Sequence, residues 1–242
     1  MVHRLRTRTI GVLLDEATDP FSAALRRAIE DECRARGFEV RIGGAADGVI
    51  TDRPDAGGAA AVFVGRPGDG DTVVSTNVAG AGGAIRHLVS YGHHRIAYLG
   101  SQPTLTTERD RHRGYLRAIG RRAGPVVQDL HDEAGAERAT IGVLRGADPP
   151  TAIFAATSVI AIGAVRALQK LRKQSSVALV GFDDFPVADL LEPAVTVVAQ
   201  DPARMGRTAV GALFERLDGY DGPPREIRIP TTLIPRGSGE IS

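Results

Sequence analysis

Apolar residues along the chain fall into two alternating patterns. Short runs such as Thr9 to Leu14, Arg95 to Leu99, Ala152 to Ala155 and Val177 to Val180 alternate with longer stretches whose apolar positions recur at helical spacing. Runs that are apolar throughout, not at every second position, predict strands covered on both faces, as in parallel sheets flanked by helices. The first unit reads strand Thr9 to Leu14, a turn through Asp19 and Pro20, and a helix from Phe21 to Arg36 stopped by Gly37. Leu25, Ile29 and Cys33 lie on that helix's apolar face. Strand Val73 to Thr76 then meets Asn77, a natural N-cap, and a helix to Tyr91 is stopped by Gly92 before strand Arg95 to Leu99.

A second series follows. Helix Glu108 to Arg122, strand Val126 to Leu130, helix Gly135 to Leu144, strand Ala152 to Ala155, helix Ser158 to Leu171 and strand Val177 to Val180 imply a second, similar half. Strand Val195 to Val198, helix Pro202 to Leu217 and an extended end from Arg225 to Pro235 complete the chain. The stretch Gly43 to Gly70 breaks the pattern. It is rich in Gly, Ala, Asp and Pro, with short strand candidates at Val49 to Thr51 and Ala60 to Val64 and no helix. Six residues between Ile42 and Val49 are too few for an ordinary crossover between parallel neighbours, so the local topology is left open.

Composition narrows the classes. A length of 242 residues favours two lobes or one large α/β domain, and 43% hydrophobic with 24% charged residues describes a globular chain, not a disordered one. No apolar run approaches a membrane span, and the Arg-rich start Met1 to Arg8 leads into a strand and not into a signal-peptide core, so a cytoplasmic protein is expected. The lone Cys33 reads as a buried helix residue in a reducing compartment. A formal net charge of +1 excludes nucleic-acid binding through bulk charge.

The candidate chemistry is sparse. Gly80, Gly82 and Gly83 fall inside a helix's first turns and not in the preceding turn, which favours close packing over a dinucleotide site. There is no G-x-S-x-G, no H-E-x-x-H and no cysteine pair. The adjacent His93 and His94 point in different directions, so neither a hydrolytic nucleophile, a metal nor a cofactor is expected. Asp183 and Asp184 lie just beyond the carboxyl end of strand Val177 to Val180, where open α/β sheets bind ligands, although Asp184 could cap Phe185 to Leu190 instead. Arg109, Arg111 and Arg113 cannot share one helix face, so at least one arginine turns away from the others.

Several of these stretches, in order along nearly the whole chain, resemble the lactose-repressor (LacI/GalR) family of transcriptional regulators in the part that follows their helix-turn-helix and hinge. They are Thr9 to Val12 with Asp19-Pro20-Phe21, "LVSYGHHRIAYLG" from Leu88 to Gly100, Arg111 with Gly114-Tyr115, "AIGAVRAL" from Ala161 to Leu168, "VGFDD" from Val180 to Asp184, Leu191 to Asp201 and Thr231 to Arg236. The resemblance implies a two-lobed periplasmic-binding-protein-like fold with three chain crossings near Ser101, Asp201 and Pro230. It divides the chain into a basic tail or hinge remnant (1–8), an abbreviated N-terminal lobe (9–100 with 202–229) and a C-terminal lobe (101–201 with 230–238).

It further implies a small effector, a sugar or related metabolite, held in the cleft between lobes. Arg111 matches the arginine that grips it, and Asp183 the acidic acceptor for its hydroxyls. Phe21 and Ser22 match the rim, Thr107 lies one turn before Arg111, and Gln200 lies at a crossing. Three positions depart from the family pattern: Thr76 replaces a common Asp, Thr157 a common Asn, and His131 stands near a usual aromatic, which puts sugar specificity in question. The family also implies a homodimer, and operator DNA reached only through a helix-turn-helix domain, for which there is no room before Thr9. A solute-binding protein of a transport system is the alternative, and an enzyme using Asp183, Asp184 or His131 the weakest reading.

Overall fold

A computed structural model of the chain describes residues 7–14, 20–42, 46–53, 55 and 60–242. Most of the expected basic tail, and Asp19 of the first turn, lie outside these residues. In chain order the elements are β1 (Thr9–Leu13), α1 (Pro20–Ala35), β2 (Glu39–Arg41), β3 (Gly48–Thr51), β4 (Ala61–Val64), β5 (Asp71–Ser75), α2 (Asn77–Ser90), β6 (Ile96–Leu99) and α3 (Thr106–Ile119). There follow β7 (Val126–Val127), α4 (Glu133–Leu144), β8 (Ala152–Ala155), α5 (Ser158–Lys170), β9 (Ala178–Phe182), β10 (Thr196–Ala199), α6 (Pro202–Leu217), β11 (Glu226–Ile229) and β12 (Thr232–Ile234). They form two compact units, one of residues up to Ser75 with Asp201–Ile229, the other of Thr76–Gln200 with Pro230–Ser242.

The first division therefore falls at Ser75/Thr76 and not near Ser101. The strand–helix–strand pattern of β5, α2 and β6 predicts one crossover unit, but β5 and β6 belong to different sheets. Tyr98 of β6 pairs with Val126 and Phe154, and α2 buries Ala81, Ala84, Ile85 and Leu88 in the second unit's core.

The first unit carries an all-parallel sheet in the order β11-β5-β4-β3-β1-β2. Pro20 opens α1, where its missing N–H is no loss, and Gly37, in the left-handed region at φ 77°, ends it. There the amides of Gly37 and Phe38 cap the Arg34 and Cys33 carbonyls. Cys33 is buried on this helix, and burial pushes its thiol up to about 11, in keeping with a packing role. α1 and α6 pack on each other at Gly206, where a Cβ would come within 2.8 Å of the Ala28 methyl. The six-residue connection that broke the sequence pattern is explained by strand order. β2 and β3 flank β1 on opposite sides, and Ala46, just before β3, lies against Gly11 of β1, whose bare Cα leaves room for it. Alternate residues of these strands, Ile10, Val12, Ile50, Val62, Val64 and Val73, enter a single core with α1 and α6. On the opposite side the fully buried Phe63 is covered by the turn through Gly68 and Gly70.

The second unit has two cores. Its sheet runs β12-β10-β9-β8-β6-β7, parallel except for β12. Ile96, Tyr98, Phe154, Val180, Phe182 and Val198 face α2 and α3, whereas Ala97, Leu99, Ile153, Ala155, Leu179 and Val197 face α4 and α5. Alternation between two buried faces is why these strands read as continuous apolar runs. Each helix pair closes on a glycine, Gly114 of α3 against the Val78 carbonyl and Gly163 of α5 against the Glu133 carbonyl. Gly80 is likewise a packing glycine, set against Thr231, Val198 and Phe182, while Gly83 is open. The buried His93 bonds Thr151 (3.0 Å) and the Ile241 carbonyl (2.7 Å), and among the described residues no group of three or more His, Cys, Asp or Glu is placed to hold a metal.

Asp71 organises the first unit's far edge. Fully buried, it accepts from Arg216 Nη2 at 2.7 Å and Nε at 3.1 Å, from Arg225 Nη2 at 2.7 Å and from the Arg225 amide at 2.8 Å. It thus ties the start of β5 to the end of α6 and the start of β11, with Tyr220 stacked against both guanidiniums. These donors hold its carboxyl well below the usual 3.8 despite burial. A carboxyl with a depressed folded pKa contributes stability above its unfolded value, and that stability is lost as pH falls through the folded one. Thermal unfolding is therefore expected to drop as pH is lowered from about 5 to about 3. Asp71→Asn should be less stable at neutral pH and less acid-sensitive; equal acid slopes in both proteins would show that Asp71 is not the group responsible.

Candidate functional site

α3 presents its arginines as the helical period requires. Arg109 and Arg113 are exposed, bonding Thr106 and Asp110, while Arg111 turns inward and is only 6% exposed. A buried guanidinium must have its donors met. Its Nε donates to Asn77 Oδ1 at 2.9 Å, and Nη1 donates to the Ala156 carbonyl at 2.6 Å and to Asp183 Oδ2 at 3.3 Å. The guanidinium carbon lies 3.9 Å from the centre of the Phe182 ring, a cation–π contact of about 2 kcal/mol when desolvated. The two N–H groups of Nη2 have no partner among the described residues.

Four elements meet here. Asn77 opens α2, Ala156 follows β8, and Asp183 follows β9, so the cluster sits at the carboxyl end of the second sheet. Asp183 adopts the left-handed region, φ 73°, while its amide donates to the Val198 carbonyl at 2.9 Å. This turn keeps its carboxylate against Arg111, and Gln200 Nε2 donates to the other oxygen, Oδ1. Aspartate tolerates this conformation better than most residues.

The structure thus brings together Arg111, Asp183 and Gln200. Asn77 is not an N-cap. It is the first residue of α2 with Thr76 at the cap position, and its side chain goes to Arg111. Thr76 Oγ1 accepts from the Thr231 amide at 3.0 Å and meets Thr231 Oγ1 at 3.2 Å. Thr157 caps α5, accepting from the Ile160 amide at 3.3 Å. Thr107 is half-buried on α3. His131 is largely exposed and pairs with Asp129 at 3.2 Å. Phe21 and Ser22 are half-buried in the first turn of α1, in the first unit. Of the two carboxylates after β9, Asp184 is structural. Arg236 grips it in a fork at 2.7 Å on each oxygen and holds its carboxyl below the usual range. Sequence reasoning missed Asn77 and Phe182, although Phe182 is the residue of β9 next to Asp183.

Comparisons with known proteins bear on the family and the fold. Residues 85–239 match the family model of the periplasmic binding protein-like domain. The HTH-type transcriptional repressor PurR of Erwinia tasmaniensis is 28% identical over 96% of this chain and 80% of its own length. The ribose operon repressor of Escherichia coli (strain K12) is 25% identical over 96% of this chain and 82% of its own. A crystal structure of a LacI family transcriptional regulator from Enterococcus faecium with bound ribose superposes with a TM-score of 0.85 over 97% of this chain and 99% of that one. At 22% identity it speaks for the fold alone.

Removing one member of a buried ion pair strands the other, at a typical cost of about 3 kcal/mol. Asp183→Asn keeps the shape and the left-handed turn but withdraws the charge, so the unfolding midpoint should fall by several degrees. An unchanged midpoint in a calorimetric scan would mean that Arg111 does not depend on Asp183.

Proposed function

The chain belongs to the periplasmic binding protein-like domain family, and from that premise we propose that it is the ligand-sensing core of a LacI-type transcriptional regulator, with Arg111 and Asp183 of its second unit as the central effector-binding groups. The observation that carries this reading is the half-satisfied guanidinium. Three acceptors, one of them the Asp183 carboxylate, and one aromatic face fix Arg111 in place, and Nη2 remains to bind something else. A fixed guanidinium edge donates paired hydrogen bonds to a diol or carboxylate with little ordering cost. Because Asp183 already balances the charge, an uncharged polyol suits the pair, and ribose is the natural first probe, since one compared protein is named a ribose operon repressor and another structure holds bound ribose.

The chemistry proposed is binding and not turnover. Its output is a change in DNA affinity, made through a helix-turn-helix module outside these 242 residues. A coupling free energy of about 1–3 kcal/mol shifts operator affinity roughly 5- to 150-fold, enough for a switch without bond-making. The relatives are repressors, which places the chain with regulators and not with transport components. Among the described residues no helix is long and apolar enough to cross a membrane; a regulator that acts on DNA works in the cytoplasm, and we assign the protein there.

A homodimer belongs to the same proposal. It is supported by the open edge strand β2, beside which Ile42 is 80% exposed. Sedimentation should find a dimer that Ile42→Arg weakens; a monomer at all concentrations would refute the pairing.

Titration calorimetry and thermal shift with D-ribose test the central claim. Ligand at about 100 times its dissociation constant should stabilise the protein by roughly 2.7 kcal/mol, and Arg111→Ala should abolish binding. Ribose binding that survives in Arg111→Ala would overturn the site assignment, and no heat or shift in the wild type would overturn the ligand class.

A further inference from the structure

Glu108 is a glutamate with 1% exposure, whereas the other buried acids among the described residues, Asp71 and Asp183, are paired with arginines. Its partners are hydroxyls. Tyr98 donates to Oε1, and Ser101 Oγ donates to Oε2 at 3.1 Å. Burial and the adjacent carboxylate push the Tyr98 phenol far above its ordinary value, so it remains a proton donor. The seat is prepared by Gly100, where any Cβ would collide with the Glu108 carboxylate and the Tyr98 ring. A glycine, a tyrosine and a serine at the end of β6 thus converge on one carboxylate.

The consequence lies with Ser101. A serine hydroxyl has one proton and two lone pairs, and here the proton is committed to Glu108. No described residue donates to the oxygen. Ser101 follows β6 at the carboxyl end of the second sheet, next to β8, whose following carbonyl at Ala156 holds Arg111. Glu108 stands three residues before Arg111 on α3, a rise of about 4.5 Å. Two other hydroxyls at this end are already accepting: Thr76 from Thr231 and Thr157 from Ile160.

We propose that Ser101 is a specificity-determining residue of the effector site, a hydrogen-bond acceptor oriented by the buried Glu108, which selects a ligand hydroxyl positioned to donate to it. The proposal rests on the reading of Arg111 as the effector-binding group. Glu108 is a positioning residue, since it acts through Ser101. Together they supply the acceptor that Thr76 and Thr157 do not.

The test is titration calorimetry of wild type, Ser101→Ala, Glu108→Gln and Arg111→Ala with D-ribose and its 2-deoxy, 3-deoxy and 5-deoxy analogues. Ser101→Ala should weaken ribose about tenfold. One deoxy analogue, lacking the donor hydroxyl, should bind wild type and Ser101→Ala equally. Glu108→Gln preserves shape but offers Ser101 an amide donor in place of a second acceptor, and should reproduce the same analogue-dependent loss. If Ser101→Ala binds ribose and every analogue as wild type does while Arg111→Ala binds none, the role of Ser101 is refuted and the effector site stands. A uniform loss across all analogues in Glu108→Gln would reduce Glu108 to a packing role. Wild type that binds no member of the series overturns the effector reading, and this proposal with it.

Discussion

A guanidinium withdrawn from water has to be paid for by its neighbours, and the second unit is arranged around that obligation. Arg111 draws one group from each of four places: the Asn77 amide oxygen at the start of α2, the carbonyl after β8, the carboxylate after β9 and the Phe182 ring within β9. Each sits where chain direction puts it, because parallel strands end at the same side of their sheet. The left-handed turn at Asp183 is the local adjustment that lets a strand end aim its side chain back at the helix. A fixed charge with one open edge is a pre-organised binding group, ordered before any ligand arrives.

The two sheets differ in how they are covered, and the difference follows from connection length. In the second unit the strands between β6 and β10 contribute alternate residues to two cores, with α2 and α3 on one face and α4 and α5 on the other. In the first unit the connections after β2 and β4 are six residues each, too short for a helix that must return to the same sheet end. Glycines make these short paths feasible, Gly11 by clearing the face of β1 and Gly68 and Gly70 by letting a turn close over Phe63. Asp71 adds an electrostatic tie at the far edge, between β5, the end of α6 and the start of β11.

Much of this was legible in the residues. Continuous apolar runs announced buried parallel strands, and the glycine stop of α1 and the amphipathic spacing of α6 placed them within a residue or two. Helical spacing showed only that Arg109, Arg111 and Arg113 cannot all point the same way, and the strand end marked Asp183 and Asp184 alike; it was the family resemblance that singled out Arg111 and Asp183. What was hidden was tertiary. Asn77 has the chemistry of a cap, and nothing local reveals that its amide is used by a residue 34 positions on. Asp183 and Asp184 are chemically alike, and only the return of the chain at Arg236 assigns the second to structure. The strand–helix–strand pattern of β5, α2 and β6 is what a single crossover would look like, so the passage between units at Ser75 left no mark in periodicity.

The central claim is that Arg111 is held rigidly by three acceptors and offers Nη2 to the effector. Side-chain NMR of protein labelled with 15N-arginine addresses it directly, with Arg111 assigned by Arg111→Lys. The account predicts a protected, sharp Nε–H signal before ligand is added, and a perturbation centred on Nη2 when D-ribose is titrated in. An Nε–H that exchanges freely in the unliganded protein, or a ribose titration that leaves the Arg111 signals unmoved, would contradict it.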